Sequence, residues 1–166
     1  TYTASTEFIT PNVSLCVQEN ELHYNPIHNY AEDYLTFIAK EDGTFKLSTN
    51  AVSYSLDNGK TWTELAANTA TPTIASGNKI MWKGELTPSA SYPYGIGVFS
   101  STGQFDVEGN SMSLLFGDSF KGQTDLTGKN YAFFGLFKSN TNLVNAENLS
   151  LPATTFLAKS IEINTI

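Results

Sequence analysis

An all-β fold, specifically an antiparallel β-sandwich, is predicted by three features of this 166-residue sequence. Turn-forming residues recur about every 8–12 positions, which is the strand spacing of antiparallel sandwiches and barrels. Between the turns, apolar and polar residues alternate over short stretches, as in strands with one buried face. Eleven Phe, eight Tyr and two Trp supply enough aromatic area to fill a core between two sheets.

Individual strands are predicted from the same two patterns. The first is expected at 13–17, where apolar residues alternate with Ser and Cys inside an otherwise irregular N-terminal stretch. The Glu41-Asp42-Gly43 turn predicts that the strands on either side of it, 34–39 and 44–47, form a hairpin. From residue 34 onward, strands are expected at 34–39, 44–47, 52–56, 62–65, 79–83, 96–99, 104–107 and 112–116.

The most specific motif is a turn built from Ser55, Asp57, Gly59, Thr61 and Trp62. The Asp57 carboxylate is expected to accept hydrogen bonds from the turn backbone, and Gly59 to supply a positive φ. Trp62 offers a large apolar face that pins the hairpin down. The segment resembles the Asp-box, S-x-D-x-G-x-T-W, of sialidases and other secreted β-proteins. That resemblance implies a structural turn in an exported protein, with no part in chemistry.

The C-terminal part of the chain changes its pattern. Apolar residues within 131–137 have helical spacing, which predicts a short helix. Farther on, the spacing of Leu143, Ala146, Leu149 and Leu151 is typical of a single leucine-rich-repeat unit. One such unit cannot bury its own apolar side, so we expect it to pack on the sandwich as a vestigial, repeat-like cap.

The chain is therefore predicted to have two regions. Residues 1–125 are expected to form the β-sandwich domain with its irregular N-terminal segment. Residues 126–166 are expected to form the short helix, the repeat-like cap and a closing strand, which is indicated by the alternation around Ile161 and Ile163.

Seven segments of the chain carry a likeness to one family, and they are 34–37, 41–45, 55–62, 79–84, 99–103, 112–118 and 149–155. Together they resemble the N-terminal β-domain of BspA-like leucine-rich-repeat surface proteins of gut Bacteroidetes. Similar domains also occur in proteins of the phages that infect those bacteria. Family members usually continue with further Leu-Pro-Ala-Thr-Thr repeats, whereas this chain goes on to the predicted closing strand.

The resemblance implies a non-enzymatic, extracellular adhesion or recognition module on a bacterial surface. Such a module is expected to bind a host protein or a glycan on a cell surface. The alternative is a bacteriophage virion structural protein, either a head decoration or a fibre component, which is expected to form a homo-oligomer. The corresponding locations are the cell surface and the virion.

Composition and charge exclude several other classes. The net charge is −7 and no cluster of Lys or Arg is present, so we predict no nucleic-acid partner. No apolar run approaches the ~18 residues of a membrane-spanning helix, so no membrane insertion is expected. Cys16 is the single cysteine, which leaves no internal disulfide and no cysteine-based zinc site.

Catalytic and metal-binding readings are weak. A sialidase needs several Asp-boxes and an arginine cluster, and this chain has one Asp-box. Asp106 and Glu108 fall on one strand face, but in a chain with sixteen acidic residues such a pair is expected to be solvated surface. Asp118 and Asp125 lie in a Gly-rich stretch without calcium-loop spacing. We predict no catalytic residue, no metal and no cofactor.

The expected contact site is the loop 91–95, where Tyr92 and Tyr94 flank a proline. Aromatic side chains on a loop can stack on sugar rings or fit into a protein groove. The alternative is that the two tyrosines cover the end of the sandwich. Trp62 and Trp82 are expected in the core rather than in a ligand platform.

Overall fold

The computed structural model describes residues 13–18, 21–88, 95–129 and 131–152, and for 13–18 and 21–26 it describes the backbone only. Strands dominate this part of the chain, which confirms the all-β class. The strands are β1 (Val13–Gln18), β2 (Glu21–Pro26), β3 (Leu35–Ala39), β4 (Phe45–Leu47), β5 (Val52–Ser55), β6 (Thr63–Leu65), β7 (Lys79–Lys83), β8 (Phe99–Ser101), β9 (Phe105–Asn110) and β10 (Leu143–Ser150). One short α-helix, α1 (Ser113–Phe116), follows β9 in the described chain.

The main sheet has six strands in the order β10-β9-β3-β7-β5-β6. Its neighbouring strands are antiparallel except at one edge, where β10 runs parallel to β9. The expectation of a wholly antiparallel arrangement is therefore wrong at this edge. A long connection separates β9 from β10, and such a connection permits a parallel pair where a two-residue hairpin does not. β4 pairs with β8, and β1 pairs with β2, in two separate two-stranded sheets.

An aromatic cluster fills the space between the main sheet and the β4–β8 pair. Phe37, on the central strand β3, has no exposed surface. Its ring centroid lies 5.4 Å from that of Phe45 on β4, 4.9 Å from Phe99 on β8 and 5.0 Å from Phe105 on β9. Trp82 lies 5.5 Å away and is also fully buried, which confirms its place in the core. The two layers are held together by these ring contacts.

The turn at 41–43 does not form the predicted hairpin. β4 leaves β3 and pairs with β8, so the turn carries the chain from one layer to the other. Both Phe45 and Leu47 are buried in the shared core, a position that β4 reaches by leaving the main sheet. Gly43 fits the crossing because a Cβ there would lie 2.6 Å from the backbone N of Gly103. The predicted pairing of β3 with β4 is wrong because turn residues specify only the local backbone, whereas β4 pairs with β8, which is distant in the sequence.

The predicted strand at 112–116 is the helix α1. The Phe116 N–H donates to the Met112 carbonyl at 3.0 Å. Residues 112–115 are all buried, and a short run of buried residues does not distinguish a strand from a helix. Ser113 anchors the helix beneath the sheet, because its hydroxyl donates to the Trp82 carbonyl at 2.9 Å and accepts from the Leu35 N–H at 3.0 Å.

The predicted helix over 131–137 is instead a series of tight turns. The turns repeat with the Phe134 N–H donating to the Tyr131 carbonyl and the Leu136 N–H to the Phe133 carbonyl. An α-helix over 131–137 would pair the Leu136 N–H with the Ala132 carbonyl, but here that carbonyl accepts from the Ile96 N–H at 3.2 Å. The apolar residues with helical spacing are buried, but the prediction of a helix is wrong because a long-range backbone bond takes the place of a helical one.

The repeat-like spacing at 143–149 belongs to β10. Leu143, Ala146 and Leu149 are half-buried and pack against the core. Phe133, Leu136 and Phe137 of the preceding turns are buried in the same core. The division of the chain at residue 125 stays a prediction. No helix in the described ranges is long and apolar enough to cross a membrane.

Candidate functional site

The turn between β5 and β6 is closed by a carboxylate clamp. Asp57 Oδ1 accepts from the N–H groups of Lys60, at 3.1 Å, and Thr61, at 2.9 Å. Its Oδ2 accepts from the Thr61 hydroxyl at 2.7 Å. Ser55 donates its hydroxyl to Asp57 at 2.7 Å and accepts from the Gly59 N–H at 2.8 Å. Two side chains thus satisfy the turn backbone, as the motif predicts.

These hydrogen bonds to the ionised form set the charge state of the turn. The Thr61 backbone and hydroxyl, followed by Ser55, lower the pKa of Asp57 from 3.8 to about 2. Since the folded value lies below the unfolded one, the clamp contributes stability above about pH 3.8 and loses it as the pH falls through 2.

Asp57→Asn is expected to lower Tm at pH 7 and to flatten the acid side of the Tm profile. The variant has no carboxylate to protonate between pH 4 and 2, so the gap between its Tm and that of the wild type narrows there. Thermal melts at half-unit pH steps measure this gap. Parallel curves across that window would show that the pKa of Asp57 is the same in the folded and unfolded states, which would contradict the clamp.

Trp62 fastens the clamped turn to the sheet. Its ring lies 4.9 Å from that of Tyr34, and the Lys83 ammonium sits 4.4 Å from the Trp62 ring centroid. Trp62 is half-buried, which is less than its predicted place in the core. Because Lys83 and Tyr34 both contact its ring, Trp62 holds the turn against the sheet and is not an open surface on which a ligand could stack.

Asp118, in the 3₁₀ turn Gly117–Ser119 that follows α1, bonds to both residues that contact Trp62. It accepts from the Tyr34 hydroxyl at 2.8 Å and pairs with Lys83 at 2.8 Å. The hydrogen bond from Lys83 and then that from Tyr34 lower the pKa of Asp118, while burial and Asp118 raise the pKa of Tyr34 to about 12. Asp125 accepts from the Thr127 N–H at 2.8 Å. Both carboxylates are therefore occupied within the protein.

The other two candidate carboxylates each form an ion pair with a lysine. Asp106 pairs with Lys40 at 3.2 Å, and Glu108 pairs with Lys79 at 2.6 Å, on one face of the main sheet. Within the described ranges, no group of three or more His, Cys, Asp or Glu side chains is placed to hold a metal ion. Tyr92 and Tyr94, the predicted contact residues, lie outside the described residues.

An open groove of about 390 Å³ lies beside the clamped turn, and we call it the tip groove. Leu56 projects from the turn with 52% of its surface exposed, although it is a large apolar residue. Ile74 is buried and forms the floor. The residues lining the tip groove are Leu56, Asn58, Thr73, Ile74, Ala75, Gly77, Asn78 and Lys79.

The groove exists because β7 extends two residues beyond the end of its neighbour β5. β5 ends at Ser55, opposite Met81, whereas its neighbour β7 begins two residues earlier in the chain, at Lys79. The clamped turn therefore diverges from the start of β7. A second turn, in which the Asn78 N–H donates to the Ala75 carbonyl at 3.0 Å, forms the opposite wall.

Sequence reasoning did not identify the tip groove. Leu56 and Asn58 occupy the variable positions of the turn motif, whereas Thr73 and Asn78 lie in a stretch with no motif at all. The one available signal was Leu56, an apolar residue placed at the tip of a polar turn.

Comparison with protein-family models, curated proteins and solved structures finds no match to this chain. The likeness to the BspA-like β-domain therefore stays a prediction from the sequence.

Proposed function

We propose that this protein is a non-enzymatic extracellular recognition module that attaches to a protein or glycan on a cell surface. The observation that carries the proposal is the tip itself. Asp57 fixes the turn through four hydrogen bonds, and that turn presents the exposed Leu56 beside an open groove. A fixed backbone loses little conformational entropy on binding, which favours recognition.

The scaffold in this proposal is a β-sandwich whose main sheet has β10 as one edge strand. The ring contacts around Phe37 support a rigid body between the main sheet and the β4–β8 pair. Rigid sheets that carry binding residues on their connecting loops are a common arrangement for recognition domains. Attachment at one tip is of modest strength, and display in many copies raises the avidity.

The environment of the carboxylates also supports binding rather than hydrolysis. A glycosidase pair needs one acid with a raised pKa beside a second, ionised carboxylate. Here Asp57 and Asp118 have lowered pKa values, and Asp106 and Glu108 are each paired with a lysine.

Attachment to cells tests the proposal directly. Fluorescently labelled protein is expected to bind epithelial or bacterial cells saturably in flow cytometry. Leu56→Ala combined with Asn58→Gly is expected to weaken attachment about 10-fold, because apolar contact and hydrogen bonds are both lost. Val144→Ala combined with Asn148→Ala, on exposed positions of β10, is the matched control and should bind as the wild type does.

Tyr94→Ala examines the loop predicted from the sequence and is expected to weaken attachment while leaving Tm near the wild-type value.

Absence of saturable binding to every cell type would contradict the adhesion proposal. A symmetric oligomer in a solution mass measurement, together with that absence, would favour the virion alternative.

A further inference from the structure

We propose that the tip groove binds a neutral sugar, through amide and hydroxyl hydrogen bonds on its walls and a C–H contact with Leu56. This deepens the proposed function, on which it rests, by naming the ligand class and the place. The groove's volume of about 390 Å³ lies within the range of small-ligand sites.

Three polar side chains on the walls are available to a ligand. Asn58, Thr73 and Asn78 line the groove, and their side chains make no hydrogen bond to any residue that the structure describes. Each amide offers two donors and an acceptor, and the threonine hydroxyl offers both roles. Sugar hydroxyls also act as donor and acceptor at once, so this set of groups matches them.

The charge of the lining selects a neutral ligand. Lys79 is the one charged side chain among the lining residues, and its ammonium is already 2.6 Å from the Glu108 carboxylate. An anion would have to compete with that ion pair. No carboxylate lines the groove, so a cation finds no counter-charge there. A polar, uncharged molecule fits the remaining groups.

The shape of the lining adds an apolar contact and open space. Leu56 supplies an exposed aliphatic surface on which the C–H face of a sugar ring can rest. Gly77 lines the groove without a side chain, and the buried Ile74 forms the floor.

The walls are also held in place before any ligand arrives. Asn58 lies in the clamped turn at φ 59°. The N–H groups on either side of it, those of Asp57 and Gly59, both donate to the Ser55 hydroxyl. Asn78 is the last residue of a turn that is closed by a hydrogen bond from its N–H to the Ala75 carbonyl. Because both amides sit on ordered backbone, binding costs less ordering entropy than at a flexible loop.

An extended peptide fits this groove less well. The N–H and C=O of Ile74 are both bonded to Gly43, at 2.7 and 3.0 Å, and thus cannot pair with an added strand. The turn after Ile74 then ends the extended backbone. A peptide that adds a strand needs a run of open backbone groups, which the 74–78 wall does not provide.

The test is a ¹H–¹⁵N NMR titration of the full chain with maltotriose, cellotriose and mannotriose, alongside sialyllactose and an unstructured Gly-Ser peptide. At least one neutral trisaccharide is expected to shift the amide signals of residues 56–58 and 73–79 saturably. Asn58→Gly keeps the positive φ while removing the amide, and Asn78→Ala removes the second amide. Each is expected to raise Kd about 10-fold, since each loses hydrogen bonds to the sugar.

Asn148→Ala, which removes an exposed amide on β10, is the matched control and should leave Kd unchanged. Trisaccharide binding that both groove variants retain would overturn the proposed site. Saturable binding of only sialyllactose or only the peptide would overturn the proposed ligand class. Cell attachment without any neutral-sugar binding would overturn this inference alone, whereas loss of cell attachment from the wild type contradicts the proposed function itself.

Discussion

Gly109→Ala is expected to destabilise the protein by about 4 kcal/mol, through backbone strain and a close steric contact. Gly109 lies in β9 at φ 85°, where a side chain is strained. A Cβ there would also stand 2.1 Å from the Tyr34 carbonyl oxygen, so β9 and the start of β3 would have to separate. Urea denaturation followed by circular dichroism measures the loss.

Gly122→Ala separates the two causes. Gly122 has a similar φ of 72°, but an added Cβ meets nothing within 4 Å. The control is therefore expected to lose only about 1 kcal/mol, which is the backbone part of the effect. Equal losses at the two glycines would mean that the close approach of Gly109 to Tyr34 does not exist in solution.

Phe37→Ala is expected to cost about 3–5 kcal/mol, because it removes the side chain at the centre of the aromatic core. Phe37 is fully buried and contacts rings from both layers, including Phe45 and Phe99. A cavity at that position weakens the main sheet and its contact with the β4–β8 pair together. The midpoint of urea denaturation, compared with the wild type at one pH, gives the magnitude.

Phe116→Ala is the matched control for Phe37→Ala. Phe116 is only half-buried at the end of α1, so it loses less apolar contact and should cost less than half as much. A similar cost for both changes would contradict the placement of Phe37 at the centre of the core.

The clamped turn shows what a local pattern can specify. Its bonds link Ser55, Asp57 and Thr61 across two to four residues, so the spacing of side chains along the chain is enough to predict them. The pairing of β5 with β6 follows from the same turn and is confirmed. The strand at 79–83 was also predicted with its observed bounds, because alternation marks a strand that is buried on one face.

The tip groove shows where that kind of prediction ends. Its two walls are Leu56 with Asn58 on one side and the 73–79 segment on the other, which have no shared pattern in the sequence. They come together because β5 and β7 are neighbours in the sheet and end at different levels. Such a site is a property of strand order and register, which turn and alternation signals do not encode.

By itself, the sequence determined the all-β class, the clamped turn and most of the strands, because each depends on neighbours a few residues apart. Tertiary structure decided the pairing of β4 with β8, the helix at Ser113–Phe116, the turns at 131–137 and the parallel edge strand β10. In these places a buried apolar segment can adopt more than one backbone form. Long-range hydrogen bonds and close packing, as between the Leu136 carbonyl and β8, select which form lowers the free energy of the whole chain.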